Sequence, residues 1–228
     1  MAPKLILHHF PLDPFSRQAR LALGEKRLAF VERVERYWER PETLEALNPS
    51  GMTPVLIDGR GDERLVVCEI RAVLEHLEER APEPPLLPID AAGRAEARRL
   101  LEWFDRKFHN EVNSFLLHEK MEKRLFGLGA PDLANLRSGR DALRAHMKTL
   151  EALLATRDWL AGDALSLGDI AAAAHLSVID YLGEAPGRDF PLTNTWYARR
   201  KSRPPFLPLL ADRLPGLPPA THYDDLDF

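Results

Sequence analysis

The sequence is short of cysteine, long apolar runs and net charge, and each shortage excludes a class of protein. Cys68 is the single cysteine among 228 residues, which excludes an internal disulfide and a cysteine-cluster zinc site. No stretch approaches the ~18 consecutive apolar residues that a membrane-spanning helix needs. The net charge of −4 argues against general nucleic-acid binding. The first residues lack a signal-peptide pattern, so we expect a cytoplasmic protein.

The residues that are present are those of a folded globular protein. Hydrophobic residues make up 45% of the chain and charged residues 29%, so disorder is excluded as the main state. A length above ~150 residues predicts one or two domains. The apolar patterns and turn signals of the first 80 residues predict the order β-α-β followed by β-β-α, a small α/β layer structure. The predicted elements are strands at 5–10, 30–37, 53–57 and 65–67 and helices at 15–27 and 69–80.

A proline-rich segment separates this region from a helical one. Residues 81–88 carry four prolines and cannot continue a helix, so we predict a first domain at 1–80 and a linker at 81–90. Helical apolar spacing predicts an all-α domain at 91–211, in which Phe104, Phe108 and Phe115 belong to one buried or dimer-forming stripe. Ser166 and Asp169 have the spacing of a capping box before a central helix.

The last residues, 212–228, predict an acidic and aromatic tail outside the periodic core. Two interpretations stay open: a frayed, solvated end, or a docking peptide in which acidic groups steer a partner and apolar groups anchor it. Trp38 likewise stands on a charged segment as a partner anchor or a packing residue. The candidate partner-binding residues are Trp38, Asp224, Asp225, Leu226, Asp227 and Phe228.

Several motifs in the same order resemble those of the cytosolic glutathione S-transferase superfamily. Residues 48–56, Asn-Pro-Ser-Gly-Met-Thr-Pro-Val-Leu, resemble the signature before its third strand, where a cis bond precedes the last proline. Residues 159–163 running into Ser166 and Asp169 resemble its helical capping motif, and Trp196-Tyr197 with Arg203-Pro204 resembles its closing helix. The resemblance implies a thioredoxin-like α/β domain followed by an all-α domain.

The resemblance also implies a damaged glutathione site. Enzymes of this superfamily activate the thiol with a hydroxyl or thiol side chain, at positions where this chain has His8, His9 or Asp13. An aspartate would raise the pKa of a neighbouring thiol, which opposes activation. Ser16 falls one turn too late in that alignment.

The carboxylate anchor of glutathione is changed as well. The superfamily places a serine after the acidic or amide residue that begins the third helix, and here Ile70 follows Glu69. Losing a hydrogen bond to a charged group costs ~1.5–3 kcal/mol, so glutathione binding is expected to be weak or absent. We therefore expect a vestigial site without catalytic residues, cofactor or metal. Its members are His9, Asp13, Thr53, Pro54, Glu69 and Ile70.

Other candidate residues are assigned structural roles. His8 and His9 are adjacent on a strand, point to opposite faces and cannot jointly chelate a metal. Cys68 is expected to be a small buried residue. The basic run Arg199-Arg200-Lys201 is expected to form a solvated helix end.

Within the superfamily, the chain resembles non-catalytic members that act in bacterial cell division. That resemblance implies a cytoplasmic homodimer at the division site that binds and organises filaments of the tubulin-like GTPase FtsZ. The alternative is a glutathione-dependent transferase or isomerase that uses His8, His9 or Ser16 unconventionally.

Overall fold

The computed structural model describes residues 5–59, 61–185 and 189–226. The chain divides into two compact units, Met1–Leu86 and Leu87–Phe228. The division falls inside the proline-rich segment that the sequence marks as a linker.

The first unit is a four-stranded mixed sheet with helices, as predicted. The strands are β1 (Leu5–His9), β2 (Val31–Val34), β3 (Val55–Asp58) and β4 (Leu65–Cys68), in the spatial order β2-β1-β3-β4. The β1–β2 pair is parallel, whereas β3 is antiparallel to both β1 and β4. The helices of this unit are α1 (Pro14–Glu25), α2 (Glu42–Leu47) and α3 (Ile70–Arg80).

The second strand is shorter than the predicted 30–37. Strand β1 ends at His9, whose carbonyl accepts the Glu35 amide at 2.8 Å, and among the described residues no other strand lies beside the segment beyond that point. The chain instead turns into the 3₁₀ segment Tyr37–Glu39. Trp38 therefore lies on a turn after the sheet edge and not on the strand.

The second unit is helical, as predicted. The first helices of this unit follow one another along a continuous stretch, joined by the π-helical segments Trp103–Asn113 and His118–Glu122. Gly127, with a φ of +69° that favours glycine, ends this stretch. The helices are α4 (Ala91–Glu102), α5 (Ser114–Leu117), α6 (Lys123–Phe126), α7 (Leu133–Leu154), α8 (Leu167–Tyr181), α9 (Pro191–Lys201) and α10 (Leu207–Leu210).

Helix α8 is the centre of the second unit, and its capping box is confirmed. Every residue of α8 is buried, which its apolar composition predicts. The Ser166 side chain accepts the Gly168 amide, and the Asp169 carboxylate accepts the Ser166 amide at 3.0 Å. Asp169 also accepts the Trp196 indole at 2.9 Å and the Leu160 amide at 3.0 Å. One buried carboxylate therefore connects the start of α8 to α9.

The prediction of a solvated basic end on α9 is wrong for two of its three residues, because Arg199 is exposed but the other two are buried. Arg200 and Lys201 both have 0% exposure, and the Lys201 ammonium lies 3.2 Å from the fully buried Asp180 carboxylate on α8. The Lys201 side chain points inward because the Asp180 carboxylate in the core pairs with its charge. A local run of basic residues in the sequence does not reveal such a buried partner.

Candidate functional site

The carboxylate of Asp13 is the centre of a hydrogen-bonded cluster at the start of α1. Asp13 is the N-cap, and it accepts the Phe15 and Ser16 amides at 3.1 and 3.0 Å. It also accepts the Ser16 hydroxyl at 2.6 Å and the Thr53 hydroxyl at 2.9 Å. Burial raises the pKa of Asp13, and these four hydrogen bonds oppose that rise. Asp13 thus holds the loop before α1 to the turn before β3.

This arrangement commits Ser16 to a structural role. Its hydroxyl donates to Asp13 at 2.6 Å and accepts the Phe10 amide at 3.2 Å, and the side chain is fully buried. Because the Ser16 hydroxyl already donates a hydrogen bond to a buried carboxylate, it does not donate one to a thiolate. Ser16 is therefore a poor candidate for an unconventional activator.

The cis bond that the sequence resemblance implies is present. The Thr53–Pro54 peptide bond is cis. Glu69, immediately before α3, has a φ of +67°, and its carboxylate accepts the Ser50 hydroxyl at 3.1 Å. A positive φ is uncommon for a residue with a side chain and marks a constrained position.

A buried apolar side chain stands at the position where the sequence resemblance predicts the loss of a serine. Ile70 is the first residue of α3 and is 8% exposed. Amide groups at the start of a helix attract anions, but Ile70 adds no hydroxyl to them. An anion at this helix start would meet backbone amides and no hydroxyl from residue 70.

The two strand histidines lie on opposite faces, as predicted. His9 is buried, with its Nε2 atom 3.7 Å from a Glu32 carboxylate oxygen. His8 is half-buried, and its Nδ1 atom lies 2.7 Å from Glu35. Each imidazole therefore faces its own carboxylate. Among the described residues, no group of three or more His, Cys, Asp or Glu side chains could hold a metal ion.

Cys68 is only partly buried, so the expectation of a buried residue is corrected. Its thiol lies at the end of β4 and donates to the Leu47 carbonyl at 3.3 Å. Desolvation, followed by the nearby Glu69 carboxylate, raises the pKa of this thiol. The position at the strand end explains the exposure, and the raised pKa favours the protonated thiol, which is a weaker nucleophile than the thiolate.

Trp38 belongs to a compact aromatic cluster on the first unit. Its ring lies edge-on to Phe10 at 4.9 Å and to Tyr37 at 5.2 Å between centroids. Phe10 is buried, whereas Tyr37 and Trp38 are half-buried. Ion pairs Arg36–Glu39 at 3.1 Å and Arg40–Glu45 at 2.6 Å flank the cluster. The indole thus packs against Phe10 and Tyr37 and is partly exposed to solvent.

The tail packs against the second unit as far as Tyr223. Tyr223 has 0% exposure, and its hydroxyl donates to the Leu209 carbonyl at 2.9 Å. The three residues that follow are exposed, with Asp224 paired to Arg213 at 2.7 Å and Leu226 37% exposed. Asp227 and Phe228 lie outside the described residues.

A buried polar centre beneath the tail is the feature that sequence reasoning missed. The Asp180 carboxylate accepts the Tyr197 hydroxyl at 3.1 Å and lies 3.2 Å from the Lys201 ammonium. Its other oxygen lies 3.3 Å from the His222 imidazole. Burial raises the pKa of Asp180, and Lys201 is the largest opposing influence. No local pattern brings these positions together, because they lie on α8, on α9 and in the tail.

Comparison with known proteins places these features in context. The family model for the glutathione S-transferase N-terminal domain matches residues 14–80, and that for the C-terminal domain matches residues 128–204. Across the part of the chain that the structure describes, no helix is long and apolar enough to cross a membrane.

Three matches, one to a protein sequence and two to solved structures, span nearly the whole chain. FtsZ-localized protein A of Caulobacter vibrioides is 67% identical over 228 residues, covering 100% of both chains. The solved structure of FzlA from C. crescentus has a TM-score of 0.97 at 67% identity and covers 99% of this chain and 100% of that one. A solved glutathione S-transferase from Rhodospirillum rubrum has a TM-score of 0.94 at 46% identity and covers 98% of this chain and 100% of that one.

Proposed function

This chain belongs to the glutathione S-transferase family, and we propose that it uses the family fold as a non-catalytic homodimer that binds FtsZ filaments at the bacterial division site. The observation that carries the proposal is the 67% identity, over the full length of both chains, to a protein named for its localisation with FtsZ. At that identity the two proteins are expected to share surfaces as well as fold.

The chemistry of the first unit supports a loss of catalysis. The carboxylate of Asp13 stands where a thiolate activator is expected, and the Ser16 hydroxyl donates to it at 2.6 Å. A buried carboxylate disfavours a second negative charge beside it. Ile70 removes the side-chain hydroxyl that would receive the glutathione carboxylate. Activation of the glutathione thiol and anchoring of the glutathione carboxylate are therefore both weakened. The fold remains available for binding a macromolecule.

Two surfaces are assigned to the filament. Trp38 supplies a half-buried indole on the first unit, and the exposed tail segment from Asp224 to Leu226 supplies acidic groups with one apolar side chain on the second. Asp227 and Phe228 extend the same chemistry in sequence. A two-fold dimer carries two copies of each surface, so contacts with neighbouring filament subunits gain avidity through effective concentration. The proposed partner is a protein filament, with no role for nucleic acid or membrane insertion.

Replacing Trp38 by alanine is expected to weaken filament binding about tenfold, because buried interface tryptophans are among the residues that contribute most to affinity. The measurement is co-pelleting over a range of concentrations of GTP-polymerised FtsZ. Val34→Ala is the matched control, since Val34 is 61% exposed on the adjacent strand end. Equal binding by Trp38→Ala and Val34→Ala would remove Trp38 from the interface.

A second candidate function is a glutathione-dependent transferase or isomerase. It is favoured by the 46% identity to a Rhodospirillum rubrum protein named as a glutathione S-transferase. Retention on glutathione resin together with turnover of a general electrophilic substrate would support the enzyme. The proposed scaffold is expected to do neither.

A further inference from the structure

The described tail is tied to the helical core by backbone hydrogen bonds before its acidic segment begins. The Ala220 amide donates to the Tyr181 carbonyl at 2.9 Å. The Tyr181 hydroxyl donates to the Leu217 carbonyl at 2.6 Å and accepts the Leu214 amide at 3.1 Å. Tyr181, the last residue of α8, therefore holds the tail at three points.

Close approach at Gly183 reinforces this attachment. Gly183 has a φ of +73°, and a Cβ atom placed on it would lie 3.3 Å from the Ala220 Cβ atom. That separation is tighter than ordinary van der Waals contact, so the tail passes where a glycine leaves room. The backbone of the tail and the end of α8 fit one another.

Tyr223 is the side chain that closes the attachment. It is fully buried, its ring lies edge-on to Tyr181 at 5.1 Å, and its hydroxyl donates to the Leu209 carbonyl at 2.9 Å. The Lys201 ammonium lies 5.7 Å from the centre of the Tyr223 ring, within range of a cation–π interaction. His222, beside Tyr223, adds the 3.3 Å contact with Asp180. Two consecutive tail residues thus bind the core.

Beyond this pair the side chains are exposed, and the Asp224 carboxylate also accepts a hydrogen bond from the Arg213 guanidinium at 2.7 Å. Asp224, Asp225 and Leu226 are exposed, and the Asp225 amide donates to the His222 carbonyl at 3.0 Å. The acidic segment therefore continues from a fixed point through a turn. A segment ordered before binding loses less conformational freedom on association than a flexible peptide does.

We propose that Tyr223 and His222 act as positioning residues, anchoring the tail on α8 and α9 so that Asp224, Asp225 and Leu226 are presented in a fixed position to the filament. This inference rests on the proposed filament-binding function. It also specifies the partner's chemistry: the contacted surface is basic, to complement the aspartates, and it has an apolar pocket for a leucine-sized side chain. The tail is then part of a folded surface and not a free linear peptide.

The anchoring is tested by amide hydrogen exchange in the full chain, with four variants compared with the original protein. Tyr223→Ala removes the ring, Tyr223→Phe keeps it, His222→Ala removes only the imidazole, and Leu207→Ala is a surface control at a side chain that is 48% exposed. We expect the amides of Ala220, Tyr223 and Asp225 to be protected in the original protein and in the control. Protection should be lost in Tyr223→Ala, reduced in His222→Ala and largely kept in Tyr223→Phe.

Presentation is tested by co-pelleting the same set with polymerised FtsZ. Tyr223→Ala is expected to bind about tenfold more weakly, and Tyr223→Phe is expected to restore most of the affinity. If the tail amides exchange rapidly in the original protein, the proposed anchoring by Tyr223 and His222 is wrong. If Tyr223→Ala releases the tail but leaves the affinity for the filaments unchanged, the proposed presentation of the acidic segment is wrong. If a chain ending at Ala220 binds as the full chain does, the tail's part in the proposed function fails, while the exchange data still decide the anchor.

Discussion

Replacing Lys201 by methionine is expected to lower the free energy of unfolding by about 3–5 kcal/mol, as breaking a buried ion pair does. The substitution leaves the Asp180 carboxylate without its charged partner. Asp180 and Lys201 are both fully buried, and their charged atoms lie 3.2 Å apart. Methionine fills a similar volume without a charge, so the Asp180 carboxylate loses its largest stabilising influence in a place that water does not reach. Urea unfolding at neutral pH measures the loss.

The pH dependence of the stability loss shows whether the unpaired charge of Asp180 causes it. Because burial raises the pKa of Asp180 above its ordinary value, its contribution to stability is fully present below the unfolded pKa of about 3.9 and is lost as the pH rises through the folded pKa. The penalty of Lys201→Met should therefore be larger at neutral pH than near pH 4.

Two further variants control for the loss of a long side chain. Removing both charges with Asp180→Asn and Lys201→Met should recover much of the stability. Arg36→Met, at a pair whose side chains are 67% and 53% exposed, should cost no more than about 1 kcal/mol. A pH-independent loss in Lys201→Met, or one no larger than that of Arg36→Met, would contradict the buried-charge account.

Replacing Ile70 by serine is expected to strengthen glutathione binding roughly 10- to 150-fold, the equivalent of the ~1.5–3 kcal/mol carried by a hydrogen bond to a charged group. The position lies at a helix start: Ile70 is the first residue of α3, and Glu69 before it has a φ of +67°. A serine there would add a hydroxyl to the amide groups at the head of the helix. Calorimetric titration with glutathione measures the change.

Ile70→Ala is the matched control for this prediction. It removes the same apolar side chain, which is 8% exposed, without adding a hydroxyl. Tighter binding by Ile70→Ser than by Ile70→Ala is expected. Equal affinity of the two variants would show that position 70 does not contact the ligand, and tight binding by the original protein would favour the enzyme.

Local patterns predicted those parts of the fold that depend on neighbours in sequence. The capping box of Ser166 and Asp169 is such a feature, since both hydrogen bonds form within four residues. The hairpin of β3 and β4 is another, because its turn lies between two short apolar runs. The buried character of α8 also follows from its own composition, since a helix that is apolar all round requires partners all round.

The parts of the fold that were not predicted depend on packing between residues far apart in the sequence. Lys201 and Arg200 have the sequence context of a solvated helix end, and only the position of Asp180 on another helix explains the buried ammonium of Lys201. Tyr223 lies in a segment without apolar periodicity, yet it fills a slot beside Tyr181. A single side chain that enters the core from an irregular segment leaves no periodic signal.

The Asp13 position carried a signal that points to its structural role. An aspartate followed by a proline is the residue pair preferred at the N-cap and first position of a helix. Asp13 and Pro14 occupy those two positions on α1. What the pair could not reveal is the third partner, the Thr53 hydroxyl at 2.9 Å, which comes from 40 residues further along the chain.

Co-pelleting with GTP-polymerised FtsZ tests the filament-binding account most directly. The full chain is compared with a chain that ends at Ala220 and has been shown by circular dichroism to keep its helical content. The account predicts that the full chain pellets with the filaments and that the shortened chain stays in solution. Failure of the full chain to pellet would contradict filament binding itself, and equal pelleting of both chains would contradict the docking role of the tail.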